Sequence, residues 1–299
     1  MSKIKNKPEF NINKLERHSY EKGKIGKNIA KIMFDWPAAA NSQDYRAVNE
    51  LNDILEVVSN DDEVDVVILT GAGKWFSSGA YLRGWEYDYD GVFHDKLDIL
   101  DKDPEKYMMG ERAEVENNLR ILRMPQIVIA AINGACIGMV NDIAAACDTR
   151  IASEKAFFGL VQIAQGLQSL NGYALFPPIM GLSKAKRFYL KGSLSYPDYM
   201  GAKEAKEMGL VDEVLPADQF EDRVNELTRD IASIPRQTTR LIKETFNLPI
   251  IASLEESSQR SNLGQVWIRQ NNPRFRADHK RAFQTVLDRH KTASQKFQT

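Results

Sequence analysis

The residues with the clearest chemical potential are an aspartate and the helix start that precedes it. Ile127–Ile132 is branched and apolar and predicts a short strand buried on both faces. Asn133-Gly134 allows a sharp turn, and Met139–Cys147 has the composition of a helix with Asp142 in its first turn. Unpaired backbone amides and the helix dipole would face the end of the strand. The segment predicts a site that stabilises an anion beside a carboxyl group; an ordinary buried strand-turn-helix is the alternative.

A glycine-rich segment follows a second predicted strand, Val64–Thr70. Its sequence, GAGKWFSSGAYLRG, combines glycines with the small residues Ser77, Ser78 and Ala80. The TGAGK run suggests a phosphate loop, but it lacks the GxxxxGK[ST] spacing and Trp75 follows the lysine. No GxGxxG opens a helix here either. Neither a nucleoside triphosphate site nor a dinucleotide site is expected.

Together these segments resemble the crotonase superfamily, the enoyl-CoA hydratases, isomerases and their relatives. The resemblance is carried by VVILTGAGKWFSSGAYLRG, PQIVIAAINGACIG, CDTRIASEKAFFG, GLSKAKRFYLKG and AKEAKEMGLVDEVLP, in the family's order and close to its spacing. It implies that the backbone amides of Ala80 and Met139 hold a thioester carbonyl oxygen as it becomes an enolate. Such a fixed donor typically contributes about 3 to 4 kcal/mol. Relatives usually have glycine at Met139, so the methionine narrows the pocket without removing the amide.

The sequence departs from the family at its two acids. Hydratases have glutamate at the position of Asp142 and a second glutamate where Gln162 stands. Asp142 can still exchange a proton, whereas Gln162 can only orient water or substrate. The shorter aspartate moves the carboxylate by about one bond length, and a misplacement of about 1 Å can cost on the order of 100-fold. Ordinary two-acid hydration is therefore not expected.

Reactions that need one proton-transfer residue fit these departures. A single base can move a double bond, and hydrolysis of a β-diketone needs an activated water and an enolate leaving group. Tyr81-Leu82-Arg83 and the segment WEYDYDGVFH also resemble the chlorobenzoyl-CoA dehalogenase branch, with His94 near that branch's histidine. Dehalogenation is not expected, because Ser169-Leu170-Asn171 occupies the region of its aspartate nucleophile.

Candidate substrate contacts come from the glycine-rich segment and from two segments that follow it in the chain. Arg83 could hold a phosphate of coenzyme A by charge-assisted hydrogen bonds. Tyr81 stands where relatives usually have an aspartate in the turn that meets the adenine, which keeps a coenzyme A-independent β-diketone substrate open. The aromatic segment from Trp85 to Phe93 suggests a bulky or cyclic acyl group. The remaining candidates are His94, which could equally be solvated, and Asn171 and Tyr173 beyond Gln162.

The predicted helix ERAEVENNLRILRM carries three glutamates, which could lie either on a solvated face or in the pocket. Val115, Leu119 and Leu122 form an apolar stripe, so Glu111, Glu114 and Glu116 are expected on a solvated face. The alternative is that one of them points into the pocket, since this helix borders the pocket in relatives. Cys136 is expected to be a small core residue.

The sequence therefore predicts an enzyme that stabilises an enolate at Ala80 and Met139, with Asp142 as acid and base. Its expected substrate is an unsaturated or β-oxo acyl-CoA that undergoes isomerisation, hydration or a related lyase step. Carbon–carbon bond hydrolysis of a β-diketone without coenzyme A is the alternative within enzymes. A catalytically silent binding protein on the same scaffold is the alternative outside them. No cofactor or metal is expected, with coenzyme A only as part of the substrate.

The elements that position these residues alternate as in an α/β protein. The resemblance implies a crotonase-like spiral of ββα turns with a C-terminal helical oligomerisation region. Short branched runs alternate with helical patterns such as Tyr45–Ser59, whose Val48, Leu51, Leu55 and Val58 share a face. We expect a core over residues 1–215 and a trimerisation region over residues 216–299, in a homotrimer or homohexamer as the resemblance implies. The helices predicted there are Phe220–Ile234, Arg236–Phe246, Ile250–Gln270 and Arg276–His290.

The composition is compatible with a cytoplasmic enzyme that acts on a small molecule. The chain has 299 residues, 43% of them hydrophobic, and a formal net charge of -1, which gives no general attraction to nucleic acid or membrane. No signal peptide or membrane-spanning run is predicted. Two cysteines without metal-ligand spacing favour a reduced compartment. The basic amphipathic tail is expected to be a solvated or interface helix, with a nucleic-acid role as the alternative.

Overall fold

Twelve strands and eight α-helices make up the described part of the protein. The computed structural model describes residues 11, 14–81, 85–86, 93–94, 104–165, 169–192, 199–274, 277 and 281. The strands are β1 His18–Lys22, β2 Ile29–Phe34, β3 Val66–Gly71, β4 Trp75–Ser77, β5 Trp85–Glu86, β6 Phe93–His94, β7 Ile127–Ile132, β8 Ala135–Ile137, β9 Thr149–Ser153, β10 Phe157–Gly159, β11 Met200–Gly201 and β12 Glu213–Leu215. The helices are α1 Tyr45–Ser59, α2 Pro104–Arg123, α3 Val140–Ala146, α4 Gly172–Met180, α5 Leu182–Gly192, α6 Ala202–Met208, α7 Phe220–Ala232 and α8 Arg236–Asn271.

The strands alternate between two sheets, which produces the predicted spiral. The larger sheet has the order β1-β2-β3-β7-β9-β12 and the smaller one β11-β10-β8-β4. In the pairs β3–β4, β7–β8 and β9–β10, the first strand joins the larger sheet and the second joins the smaller one. Helix α3 follows β7–β8 and α4 comes after β9–β10, whereas the short strands β5 and β6 stand between β4 and α2. The strands β2, β3, β7, β9 and β12 are parallel. The predicted α/β spiral of ββα turns is confirmed.

Two glycine corners allow the chain to leave the larger sheet for the smaller one. A Cβ atom on Gly71 would lie 2.0 Å from the carbonyl oxygen of Trp75, and one on Gly134 would lie 2.0 Å from that of Lys74. Asn133 joins the corners, since its Nδ2 donates to the carbonyls of Gly71 and Gly73 at 2.9 Å each. A larger residue at either glycine would push apart the strands that lead into the site.

Helix α1 forms where the hydrophobic spacing predicts it. Its N-cap, Asp44, accepts a hydrogen bond from the amide of Ala47 at 2.8 Å, which satisfies one of the free donors of the first turn. Val48, Leu51 and Leu55 on its apolar face are buried. This face packs the helix against the core and brings Val48 to the two loops described below.

The C-terminal region differs from the prediction at one proline. Two helices were predicted, Arg236–Phe246 and Ile250–Gln270, but α8 runs unbroken from Arg236 to Asn271 with Pro249 inside it. Proline lacks an N–H and costs a helix about 3 kcal/mol, so other contacts must hold the two halves in line. Asn247 donates from Nδ2 to the Leu122 carbonyl at 3.0 Å, and Ile250 packs against the core. Tertiary contacts thus override the local breaker.

The remaining C-terminal predictions are only partly covered by the described residues. The helix predicted over Phe220–Ile234 is α7, which ends at Ala232. The helix predicted over Arg276–His290 lies outside the described residues except for positions 277 and 281. The division of the chain at residue 215 stays a prediction. Of the helices that the structure describes, none has both the length and the apolar character needed to cross a membrane.

Candidate active site

Two glycines with left-handed backbones bring two loops into contact. Gly79 has φ +83° and Gly138 has φ +68°, a region that other residues rarely adopt. A Cβ atom on Gly79 would lie 2.3 Å from the carbonyl oxygen of Ile137. Only glycine therefore allows this approach of the loop after β4 to the loop after β8. The next residues along the chain are Ala80 and Met139, so the contact places the two predicted amide donors on adjoining loops.

The surrounding hydrogen bonds leave both amides available. Gln43 and Ala80 form a parallel β-bridge through the neighbours of Ala80. The backbone amide of Gln43 donates to the Gly79 carbonyl at 2.7 Å, and the amide of Tyr81 donates to the Gln43 carbonyl at 2.9 Å. The alternation of a strand points the amide of Ala80 to the opposite side. Met139 precedes α3, where helix amides have no intrahelical partner. Within the described residues neither amide donates to a protein acceptor.

An apolar group of side chains surrounds the two loops. Ala80 and Met139 both pack with Val48 of α1, and the same cluster contains Tyr45, Ala113 and Val266. These residues come from α1, α2 and α8, so three helices close around the loops. A ligand held by the amides would therefore place its tail among apolar side chains.

Asp142 lies one helical turn after Met139 and is buried. It is 2% exposed, and its Oδ2 accepts a hydrogen bond from the Ser169 hydroxyl at 2.5 Å. Burial, the largest influence, raises the pKa of this carboxyl from 3.8 to about 7. Glu114 raises this pKa further, while Ser169 and the amide of Asn171 lower it. A carboxyl group with such a pKa can both accept and donate a proton near neutral pH.

Asn141 fixes the loop from which Asp142 projects. Its Nδ2 donates to the carbonyls of Cys136, Gly138 and Gly159 at 3.0 to 3.1 Å. These carbonyls belong to β8, its loop and β10, so one side chain ties the start of α3 to two strands. Cys136 is fully buried, as the expectation of a small core residue requires.

Gln162 faces the glycine loop. It lies in a 3₁₀ helix, Val161–Gln165, and its Oε1 would be 3.7 Å from a Cβ atom on Gly138. This oxygen is buried and has no hydrogen-bond partner among the described residues. A side-chain amide does not ionise near neutral pH, so Gln162 can orient a ligand or a water molecule but cannot act as a general acid or base.

Ser169 and Asn171 approach the site from the start of α4. The Ser169 hydroxyl donates to Asp142 and also accepts from the amide of Gly172 at 3.1 Å, an interaction typical of a helix start. Asn171 is 2% exposed, and its Oδ1 has no protein partner in the described part of the chain. The role of Ser169 was missed at the sequence level. The run Ser-Leu-Asn-Gly signals a helix start, but nothing in it indicates which carboxyl group the hydroxyl meets.

The two tyrosines predicted to contact substrate pack on other aromatic rings. The ring of Tyr81 packs on Trp36 with centroids 5.0 Å apart, and the Arg17 guanidinium lies 4.0 Å above the Trp36 ring. Tyr173 is 44% exposed and stacks on Tyr189. It lines a separate cavity of about 690 Å³ between α3, α4 and α8. Burial and, to a smaller extent, the Asp142 carboxylate raise the pKa of Tyr173. Tyr173 therefore lies within electrostatic range of Asp142.

Three predicted contacts fall in the segment that the structure describes least. Arg83 lies outside the described residues. Trp85 and His94 belong to a two-stranded sheet in which they face each other in register. Their side chains lie outside the description, so their predicted contact with substrate stays a prediction.

Two of the three glutamates of α2, Glu111 and Glu114, are buried, which corrects the expectation of a solvated face for them. Glu111 is 2% exposed and Glu114 is 7% exposed, whereas Glu116 pairs with Arg120 at 3.4 Å. The reason is that α1, α3 and α8 all pack against α2 and leave little of its circumference to solvent. The apolar stripe of Val115, Leu119 and Leu122 is buried as predicted.

Comparisons with known proteins agree with the fold. The enoyl-CoA hydratase/isomerase family model matches residues 24–265. A protein of Mycobacterium bovis named probable enoyl-CoA hydratase is 34% identical over 245 residues, 81% of each chain. A crystal structure of an enoyl-CoA hydratase from Mycobacterium avium subsp. paratuberculosis has a TM-score of 0.73 at 26% identity and covers 91% of this chain and 97% of its own.

An isomerase is also among the similar structures. A monofunctional enoyl CoA isomerase from M. smegmatis has a TM-score of 0.57 at 29% identity and covers 79% of this chain and 93% of its own. Solved structures named for hydratase and for isomerase activity thus both share this fold. The chain belongs to the enoyl-CoA hydratase/isomerase family of the crotonase superfamily.

Proposed function

We propose that this protein acts on an unsaturated or β-oxo acyl-CoA thioester. The amides of Ala80 and Met139 bind the thioester carbonyl oxygen, and Asp142 moves the proton. The observation that carries this proposal is the buried Asp142 carboxyl, whose pKa is about 7 and which lies one helical turn from the Met139 amide. A proton-transfer group poised near neutral pH beside two free donors is suited to forming and quenching an enolate.

Isomerisation of a double bond needs no second acid. The Asp142 carboxylate takes a proton from the carbon between the carbonyl and the double bond, and the electron pair moves onto the thioester oxygen. The two amides stabilise the resulting dienolate. The protonated Asp142 then returns the same proton to the far carbon of the original double bond, so the atoms balance without a cofactor.

The named relatives support the thioester as the substrate class. The Mycobacterium bovis relative is named for hydration of an enoyl-CoA and the M. smegmatis structure for isomerisation of one. Both reactions place a developing negative charge on the thioester oxygen. Coenzyme A enters as part of the substrate, and the chemistry asks for no other cofactor.

The surface of α8 supports a homo-oligomer, in line with the proposed trimer or hexamer. Leu241, Ile242, Phe246 and Leu248 are 65%, 51%, 73% and 68% exposed. Apolar patches on one side of a helix are typical of surfaces that another chain covers. Sedimentation velocity would test this, and a monomer at micromolar concentration would contradict it.

The function is tested by supplying matched thioesters to the purified protein. Straight-chain and alicyclic 2-enoyl-CoA and 3-enoyl-CoA would be followed by the ultraviolet absorbance of the conjugated thioester. We expect turnover that Asp142→Asn lowers by orders of magnitude and that Asp218→Asn, an exposed control, leaves unchanged. Turnover of a β-diketone without any turnover or binding of thioesters would replace this proposal by carbon–carbon hydrolysis. Ligand binding without turnover of either class would instead indicate a silent binding protein.

A further inference from the structure

A second carboxyl group is buried on the helix that closes the site. Glu114 belongs to α2 and is 7% exposed. Its neighbour Ala113 packs in the same apolar cluster as Ala80 and Met139, and α2 packs directly against α3, which carries Asp142. An acidic side chain is almost never buried unless it interacts with another group. Glu114 therefore lies between packed helices, beside the helix that carries Asp142, rather than on the outer surface.

Glu114 and Asp142 interact electrostatically. The Glu114 carboxylate is among the groups that raise the pKa of Asp142. The other titratable groups that interact with Asp142 are Cys136 on β8, Tyr173 on α4 and Tyr189 on α5. Burial raises the pKa of all three, so they stay neutral near pH 7. Among the described residues that interact electrostatically with Asp142, Glu114 is thus the one that carries a second carboxyl group.

Helix α8, which also packs against α2, contributes the buried neutral residues Ser258, Ser261, Asn262 and Gln265. Its buried cation, Lys243, pairs with Asp148 at 2.8 Å. Asn118, one turn along α2, donates from Nδ2 to the backbone carbonyl of Glu114 at 3.2 Å. Glu111, on the preceding turn, is a further buried acid of the same helix. Two interacting carboxylates in buried surroundings oppose each other's ionisation.

We propose that Glu114 is the second acid/base of the active site and does the work that Gln162 cannot do. The inference rests on the proposed function and extends it from isomerisation to hydration. In hydration, the ionised carboxyl of the pair takes a proton from water as the water oxygen attacks the β-carbon. The protonated carboxyl delivers its proton to the α-carbon, so one water is added across the double bond. The carboxyl groups end with their protonation states exchanged.

Glu114→Gln tests this, with Glu116→Gln on the same helix as the matched control. Glu114→Gln should lower hydration of a 2-enoyl-CoA on the order of 100-fold, a typical contribution of one proton-transfer group. Isomerisation of a 3-enoyl-CoA, which uses Asp142 alone, should fall by less than about tenfold. The apparent pKa of the remaining activity should move down, because a negative neighbour of Asp142 is gone. Hydration and pH profile equal to those of Glu116→Gln would overturn the assignment.

A readout that needs no turnover separates this inference from the proposed function. Infrared spectroscopy of the carboxyl stretch should show a protonated buried carboxyl in the wild type near pH 7 that Asp142→Asn removes. In Glu114→Gln the same band should titrate at a lower pH, and in Glu114→Asp it should stay nearer the wild-type position. If the wild type turns over no thioester but the carboxyl band titrates at a lower pH in Glu114→Gln, the interaction of Glu114 with Asp142 is supported and the proposed function fails. If hydration and titration are both unmoved in a folded Glu114→Gln, the pair fails and the proposed function stands.

Discussion

Replacing Asp142 by asparagine should stabilise the protein while it removes activity. The side chain is 2% exposed, and folding must carry its carboxyl group into a site where burial and Glu114 both oppose ionisation. Asparagine has nearly the same shape, can still accept the hydrogen bond from Ser169 and never carries a charge. The variant therefore tests directly whether a charged Asp142 is a cost to the folded state.

The magnitude follows from the pKa. The pKa of Asp142 rises from 3.8 to about 7 on folding. At pH 7 or above, ionisation of this carboxyl group therefore destabilises the folded state by about 4 kcal/mol. The buried amide of asparagine lacks part of its hydrogen bonds, which lowers the stability of the variant by about 1 to 2 kcal/mol. The net gain is about 2 to 3 kcal/mol, or roughly 4 to 6 °C in melting temperature at about 2 °C per kcal/mol.

The sign of the pH dependence is fixed by linkage. Because the folded state holds this proton more tightly than the unfolded chain, wild-type stability is greatest below about pH 4 and falls as pH rises to about 7. The variant lacks this decline, so its advantage should appear above about pH 5 and grow up to about pH 7.

Urea unfolding at a series of pH values, with Asp218→Asn as the control, measures the difference. The reasoning is refuted if Asp142→Asn is less stable than the wild type at pH 8 by the same amount as at pH 5. That result would mean that the carboxylate is compensated in the folded state and that its pKa is close to 4.

Three further predictions address the parts that position Asp142. Ser169→Ala should raise the pKa of Asp142, because it removes a donor to the carboxylate; the pH–rate profile should shift upward and kcat fall by about tenfold. Gly79→Ala should destabilise the fold by more than about 2 kcal/mol in thermal unfolding, since its Cβ atom would meet Ile137 at 2.3 Å, whereas Gly73→Ala, with open space around it, should cost only about 1 kcal/mol. Lys243→Met should cost about 3 kcal/mol in urea unfolding because it leaves Asp148, 2.8 Å from the ammonium, without its cation; an equally stable variant would contradict this.

Local patterns in the sequence were sufficient for the elements that carry the site. The strand Ile127–Ile132 and the helix Tyr45–Ser59 have the predicted bounds, because each is decided by a hydrophobic run or a hydrophobic spacing. The glycine-rich segment after the predicted strand Val64–Thr70 marked one of the two loops, and the structure gives its Gly79 a positive φ. In these cases the physical cause of the structure lies within a few residues of its effect.

Contacts between distant segments were not predictable in the same way. Ser169 reaches Asp142 across 27 positions of the chain, and Glu114 is buried only because three other helices surround its own. The continuation of α8 through Pro249 likewise depends on Asn247 meeting Leu122, 125 positions earlier. A single sequence shows the charge and the secondary-structure propensity of each residue. It does not show which distant residue will contact it in the folded protein.

The two oxygens of Asp142 show how a shorter acid can still serve this site. Oδ2 is held by Ser169 at 2.5 Å, whereas Oδ1 is buried without a hydrogen-bond partner among the described residues. A carboxylate anchored at one oxygen loses rotational freedom, and its other oxygen is left as the acceptor for a substrate proton. The serine thus offsets part of what the missing methylene costs in placement. It also explains why the pKa of Asp142 stays near 7 despite complete burial, since the hydroxyl stabilises the ionised form that proton abstraction requires.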